Sequence, residues 1–338
     1  MVNVVRKHPI VLAFIVICLL FPLVSPSPYI MRVLMEVFFF AAMGNAWNII
    51  GGYGRQTSWA SATFFSVGAY TSIILFTKHG EISPWISVIV AMVLVSALAV
   101  IIGWPCFRLR GVFFSIATIA CATIFRQLLI YFETFTGGSL GISFKIRKGN
   151  SLWNLQFDND RPYYYVALVW MLITVLIVVY IERHKLGYYL RAICEDQDAA
   201  ESLGIKSSQV KLKAFVISCM ILAFTGVLYV FKSGFVDPNT VATHDMSVRI
   251  GIVAILGGMG TVWGPMVGAL ISVPLLELSN AYLQRFGGGS AGWALYGLLI
   301  VIMVLFKPSG IISIWDTVKT KIEKSKASKG GTEDESHG

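Results

Sequence analysis

Charge is what this chain has least of. Only 13% of its residues are Asp, Glu, Lys or Arg, against roughly 25% in soluble domains. Cysteine supplies no CxxC pair: the five copies are Cys18, Cys106, Cys121, Cys194 and Cys219. A disulfide framework or thiolate metal site therefore has no basis. The histidines are scattered at loops and ends without an HExxH, which leaves metal catalysis unsupported. No GxxxxGK[ST] occurs, and no soluble stretch could hold one, so no bound cofactor is expected on this chain. Paired carboxylates and a Ser/His/Asp set are also missing from the apolar segments, and an enzyme is not expected.

Apolar length is what the chain has in abundance. Hydrophobic residues make up 56% of it and the mean hydropathy is +0.72. Runs recur from Pro9 to Phe306, and a bilayer core takes about 20 apolar residues per helix. The expected class is all-α: a polytopic transmembrane helical bundle of about ten helices, one or more of them short or discontinuous. The segments fall near 9–26, 29–50, 58–77, 84–106, 112–133, 162–181, 213–232, 247–262, 264–284 and 292–307. The third is rich in Ser, Thr and Ala, and the eighth is short and ends in glycines. Arg6 and Lys7 before an apolar run have the look of a signal peptide. However, "LVSPSPY" offers no A-x-A site, so a retained first helix is expected. Residues 1–314 read as one transmembrane domain with a cytoplasmic loop at 183–212. Residues 315–338, rich in Lys, Ser, Gly and Glu, read as a solvated, disordered tail.

The net charge of +9 invites thoughts of nucleic acid, but the basic residues sit between apolar runs, where membrane topology puts them. No nucleic-acid partner is expected. With the N-terminus in the cytoplasm, 17 Lys and Arg fall inside and nine outside. That excess favours cytoplasmic N- and C-termini.

Three polar or glycine-rich stretches interrupt the apolar pattern. In "GGMGTVWGPMVGA" (257–269), Gly260, Gly264 and Gly268 form a GxxxGxxxG ladder suited to close helix approach. Pro265 inside it favours a broken helix whose freed backbone lines a path. Both readings can hold together. In "NAWNIIGGYGRQTSWAS" (45–61), Asn45, Asn48, Gln56, Thr57 and Ser58 need protein or water partners in a bilayer. Either a capped cytoplasmic turn or a path-lining segment accounts for them. The candidate path residues are Asn45, Asn48, Gln56, Ser58, Gly257, Gly258, Gly260, Thr261 and Gly264. "TFTGGSLGI" (134–142) marks a turn, read as an ordinary outer connector. Glu277 and Arg126 lie within two turns of span ends and read as structural, snorkelling charges.

The most unusual stretch is "RAICEDQDAAESLGIKSSQVKLKAF" (191–215), with four acidic residues in seven positions. "CEDQDAAESLG" reads as a helix of two to three turns with carboxylates at its positive end. Ala199, Ala200 and Leu203 give a small apolar face, Gly204 a C-cap, and Ser207 or Ser208 an N-cap for the next helix. A helix presented to anionic headgroups prefers Lys and Arg, so a protein partner suits this acidic one better.

"DAAESLG" is similar to the first half of the E-A-A-x-x-x-G motif by which ABC importer permeases dock a coupling helix on their ATPases. Asp198 stands for the usual Glu, and the I-x-L-P half is absent. Over nearly its whole length the chain resembles LivM-type permeases of branched-chain (hydrophobic) amino acid ABC importers. The matching segments, in order and spacing, are "RLRGVFFSIATIA" (108–120), "TGGSLGI" (136–142), "LRAICEDQDAAESLGI" (190–205), "LAFTGVLY" (222–229) and "AILGGMGTVWGPMVGA" (254–269). Arg55 and Ala60 stand where the family usually has glycine, Cys194 where Arg is common, and Leu140 where Asp is common.

The resemblance implies a bacterial inner-membrane complex: this chain in the lipid, a second homologous permease subunit, two cytoplasmic ATPases carrying ATP and Mg, and an extracytoplasmic binding protein. It implies coupling through a helix at about 194–206, with Glu195, Asp196, Asp198, Ala199, Ala200, Leu203 and Gly204 as contacts. Bulk at Ala200 or Gly204 is then expected to uncouple transport. The alternative from another class is an ion-coupled secondary carrier of small polar solutes. It requires acidic relays in mid-membrane, for which only Glu277 and Glu36 are available.

Overall fold

In the computed structural model, residues 17–24, 27–78, 82–109, 111–145 and 151–283 are described, with isolated positions between 294 and 311. The first and tenth expected segments, the connector at 284–293 and the tail at 315–338 lie mostly or wholly outside these residues. Proline and serine mark the first long helix. Pro28 opens α1 (Pro28–Gly51), and the Ser27 hydroxyl accepts from the Ile30 N–H, since a proline at the first helical position gives up only a donor the helix would leave unused. Next come α2 (Ser61–Lys78), α3 (Pro84–Cys106), α4 (Val112–Tyr131) and the single turn α5 (Glu133–Thr136). Strand β1 (Ile142–Ser143), helix α6 (Asp160–Arg183), the shorter α7 (Lys185–Glu195) and α8 (Gln197–Ser202), and the long α9 (Ser207–Ser233) continue the chain. Strand β2 (Phe235–Val236), the turn α10 (Pro238–Val241), α11 (His244–Gly257) and α12 (Gly264–Leu283) complete it.

Among the described residues, five helices, α1, α3, α4, α6 and α9, are long and apolar enough to cross a membrane. Their burial separates centre from periphery: 83% of the α1 window is buried but only 22% of the α4 window. In water an exposed apolar face like that of α4, with Phe113, Ile116, Ile124 and Leu128 uncovered, is costly; in lipid it is at home. Helix α1 packs on α6, α9, α11 and α12, and α9 also packs on α2 and α3. At the α2–α9 crossing, a Cβ on Gly68 would lie 2.1 Å from the Ala223 carbonyl, and one on Gly226 would lie 2.1 Å from that of Phe65. The missing side chains let the two backbones touch, the device by which helices associate in lipid. Edge-to-face rings fill the space below: Phe215 meets Phe64 at 5.3 Å and Phe107 at 5.4 Å.

The bundle has two distinguishable ends. Antiparallel β1–β2 pairing, Ile142 with Val236 and Ser143 with Phe235, marks the strand end. At the opposite end α7 and α8 form an arm between α6 and α9. The third expected segment begins three residues late because 55–60 is not helical. The eighth is shorter than expected: α11 holds 14 residues, about 21 Å of helix, too short for a bilayer core of about 30 Å. Residues 258–263 are not helical, and α12 runs back antiparallel beside α11.

Candidate functional site

The broken helix and the non-helical segment at 55–60 meet at the arm end. The Asn48 carboxamide joins them: its Nδ2 donates to the Thr261 carbonyl at 2.8 Å, and its Oδ1 accepts from the Gly260 N–H at 2.8 Å. Gly52 lies against the same place, where a Cβ would come within 2.5 Å of the Gly260 nitrogen. The Thr261 hydroxyl donates to the Gly258 carbonyl and accepts from the Gly264 N–H, stitching the break and capping the start of α12. Backbone groups freed from a helix inside a membrane protein must be satisfied by such side chains.

Of the glycine ladder, Gly264 and Gly268 lie on α12, whereas Gly260 sits in the break with a φ of +72°. Pro265 in the first turn of α12 is tolerated there, and the open backbone before it ends α11. The packing reading of the same glycines stands. A Cβ on Gly257 would come within 1.7 Å of the Gly264 carbonyl, and one on Gly268 within 1.9 Å of the Val253 carbonyl. The seam and the broken helix coexist.

Residues 55–60 are tied down on every side. The Trp47 indole donates to the Ser58 carbonyl, the Ser58 hydroxyl accepts from Ala60 N–H, and the Gln56 N–H donates to the Ile50 carbonyl. Thr118 on α4 accepts from Trp59 N–H, and Ser247 on α11 accepts from Ala62 N–H. Thr118 and Ser247 were not legible as partners, being single hydroxyls in apolar runs far away in sequence. Asn45 stands apart from the knot: its Nδ2 donates to Thr174 on α6 at 3.3 Å, while its Oδ1 is buried without a partner. Arg55 takes a left-handed φ of +45°, which accounts for glycine being usual at that position in the family it resembles.

One face of α1 follows the α11–α12 hairpin along its length. Phe40 lies under the Arg249 guanidinium at 4.6 Å. A Cβ on Gly44 would lie 2.9 Å from Val253 and 3.1 Å from Pro265. Asn48 ends the row at the knot. The spacing of four puts all three on one stripe.

The arm differs from a single helix over 194–206. It breaks at Asp196, whose extended backbone lets its carboxylate accept from Asp198 N–H and Ala199 N–H at 2.9 and 3.0 Å. A short acid beside free backbone donors caps a new helix sooner than it continues an old one. Gly204, φ +86°, ends α8 with Ile205 N–H on the Ala200 carbonyl and Gly204 N–H on that of Glu201, the paired pattern of a left-handed cap. Ser207 and Ser208 do not cap α9: Lys206 holds that position without a side-chain bond, and the buried Ser207 hydroxyl has no partner. Nor do the three apolar residues share a face. Ala200 turns inward at 3% exposure, while Ala199 is exposed and Leu203 is 85% exposed. Glu195, Asp196, Asp198 and Gly204 join them on the outer surface. Lys211 Nζ donates to the Gln197 side-chain Oε1 at 2.8 Å, fastening α8 to α9.

The arm reaches the knot directly. Arg191 on α7 lies 5.6 Å from the Tyr53 ring centroid and pairs with Glu182. Leu190 packs on Gly54. Tyr53 and Gly54 follow immediately on Gly52. Burial first, and then the Glu182 carboxylate, hold the Tyr53 phenol above its ordinary pKa, with Arg191 acting in the opposite sense.

Membrane-length helices round a broken, glycine-stitched hairpin define a multi-pass membrane protein, and the relatives it matches are named transport permease proteins. The chain belongs to the family described as "Branched-chain amino acid transport system / permease component", whose model matches residues 29–306. It is 28% identical over 335 residues to the high-affinity branched-chain amino acid transport system permease protein LivM of Escherichia coli K12, covering 92% of this chain and 76% of that one. Its counterpart in Salmonella typhimurium is 27% identical over the same span. The Escherichia coli permease protein LivH is 25% identical over 290 residues, 81% of this chain and 91% of that one. No solved structure matches the chain. It is thus a permease component of a multi-subunit branched-chain amino acid transport system.

Proposed function

We propose that this permease serves an ATP-driven importer of branched-chain or other hydrophobic amino acids, set in a bacterial inner membrane with both termini cytoplasmic. One observation carries the reading: an acidic, outward-facing arm is joined without intermediary, through Arg191–Tyr53 and Leu190–Gly54, to the Asn48–Gly260 knot. Two cytoplasmic ATPases, which bind the ATP and Mg, grip the face formed by Glu195, Asp196, Asp198, Ala199, Leu203 and Gly204. A second homologous permease subunit packs on the α4 side, where Thr123 and Gln127 are exposed among apolar neighbours; polar groups at membrane depth call for a partner. A binding protein delivers the amino acid to the strand end.

ATPase closure moves α7 and α8 as one body, because Asp196 caps α8 directly onto α7 and Lys211 holds it to α9. Tyr53 and Gly54 follow, and Gly52 shifts against Gly260. The α11–α12 hairpin then changes its packing on the Phe40–Gly44–Asn48 face of α1, opening one end as the other closes. Small residues at that seam leave the two arrangements close in energy, as switching between discrete packings requires.

Co-expression with the matching ATPases and binding protein tests this. Radiolabelled leucine uptake should require all partners and hydrolysable ATP, and the ATPases should co-purify with the permease. Uptake driven by an ion gradient without ATPases would refute it.

A further inference from the structure

We infer that the groove between α3 and α6 binds one membrane phospholipid with an anionic headgroup. Its phosphate rests on Arg161 and one acyl chain runs inward along α6. The inference needs only that the bundle lies in a bilayer, and it stands apart from the ATP-coupled reading above.

Helices α3 and α6 stand apart on either side of α9. The gap between them at the strand end has a volume of about 470 Å³, within the usual range for ligand sites. Trp85 and Leu152 form one wall, and α6 forms the other through Tyr165, Val169 and Ile173. Both walls present carbon, because their polar atoms are already used. The Trp85 indole donates to the Leu152 carbonyl at 3.1 Å, and the Tyr165 hydroxyl donates to the Leu19 carbonyl at 3.3 Å. Between the walls the Trp170 indole donates to the Thr225 hydroxyl at 2.8 Å, and its ring stacks on Phe224 at 3.8 Å. Such a gap offers water no hydrogen bonds, and leaving it empty forfeits packing. A hydrocarbon chain fills it.

Charge and length identify the molecule that owns the chain. Arg161, exposed in the first turn of α6, is a cation at the mouth of the groove. Among the described residues it closes no ion pair, and the neighbouring Asp160 carboxylate is engaged by Arg32 at 3.5 Å. No carboxylate stands among the described residues that line the groove. A free amino acid or an ethanolamine headgroup would leave its ammonium unpaired there. A phosphate without a cation of its own matches the guanidinium. From Arg161 to Ile173, α6 rises about 18 Å, close to the roughly 15 Å of hydrocarbon in one leaflet. The groove thus runs from headgroup level, where Trp85, Trp153 and Tyr165 sit as interfacial aromatics do, to the bilayer centre. Val169 and Ile173 are 53% and 41% exposed. The groove is therefore open along its side, and the second chain of a diacyl lipid stays in the bilayer.

The test titrates the full-length permease, delipidated in detergent, with dioleoylphosphatidylglycerol, dioleoylphosphatidylethanolamine and oleate. Native mass spectrometry counts the bound lipid. Wild type should hold one phosphatidylglycerol about tenfold more tightly than phosphatidylethanolamine, the effect of one charge-assisted contact. Oleate, which has the charge but not the diacyl form, should not displace it at equal concentration. Arg161→Gln should lose the preference for phosphatidylglycerol, and Arg161→Lys should keep part of it. Val169→Trp sets an indole in the groove and should bind neither phospholipid. Both positions are exposed, so melting temperatures without lipid should match wild type. Equal affinity of wild type for the two phospholipids, displacement by oleate, or unchanged phosphatidylglycerol binding in Arg161→Gln or Val169→Trp overturns the site. So does loss of the bound lipid when the permease is assembled with its partner subunits, which would show that protein covers the groove.

Discussion

Asn48 and Gly260 are hydrogen-bonded across 212 positions of sequence, and the same carboxamide holds the neighbouring Thr261 carbonyl. One side chain thus satisfies two backbone groups that the broken helix leaves open. Asn48→Leu keeps the branched outline, adds some volume and removes both bonds. Each orphaned group costs about 1–3 kcal/mol, so the solubilised protein should melt several degrees lower. Asn48→Asp keeps the acceptor for Gly260 but sets a second carboxylate oxygen against the Thr261 carbonyl, and this buried, unpaired charge should lower the melting temperature at least as far.

Glycines in the hairpin and in the arm should respond oppositely to the same substitution. Gly268→Ala would set a Cβ 1.9 Å from the Val253 carbonyl, and poor expression or misassembly is expected. Gly204→Ala meets nothing within 4 Å; its cost is the left-handed backbone alone, about 1–2 kcal/mol, confined to the arm. Expression level and size-exclusion profile distinguish the two outcomes.

Arg55 occupies a left-handed position with its side chain exposed. Arg55→Gly relieves about 1 kcal/mol of backbone strain. The melting temperature should rise slightly if no charged partner depends on Arg55; a fall would reveal one.

On the arm, the inward Ala200 and the outward Ala199 separate folding from docking. Ala199→Trp should leave the melting temperature unchanged and reduce ATPase co-purification and uptake together. Ala200→Trp should instead loosen the arm itself, seen as faster proteolysis between 195 and 206. Equal co-purification for Ala199→Trp and wild type would rule out that face as the docking surface.

Tyr53 tests the connection between arm and knot. Its hydroxyl is buried without a partner, so Tyr53→Phe should be neutral or mildly stabilising. Tyr53→Ala removes the ring under Arg191 and should lower transport more than ATPase binding. Uptake per bound ATPase is the quantity to measure.

Much of this architecture was legible because apolar length and glycine spacing are local signals. The helices from 28 to 283 fall close to their expected places, and Gly204 ends its helix as expected. What failed were choices between local partners. Asp196 could continue a helix or cap one, and the neighbouring donors decided it. Ala200 and Leu203 share an apolar character but not a direction, which only the packing of α8 beside α7 and α9 settles. The hydroxyls of Thr118, Thr174 and Ser247 look like ordinary residues of apolar helices. Their role appears only once the segments at 45 and at 55–62 lie beside them.

The contact of Arg191 and Leu190 with Tyr53 and Gly54 has a consequence for exchange between relatives. A chimaera that takes 185–206 from another permease receives a foreign surface against residues 53 and 54. The transplantable cassette is therefore discontinuous. Residues 52–54 must travel with the arm, and substitutions on either side of this contact should be tolerated only in matched pairs.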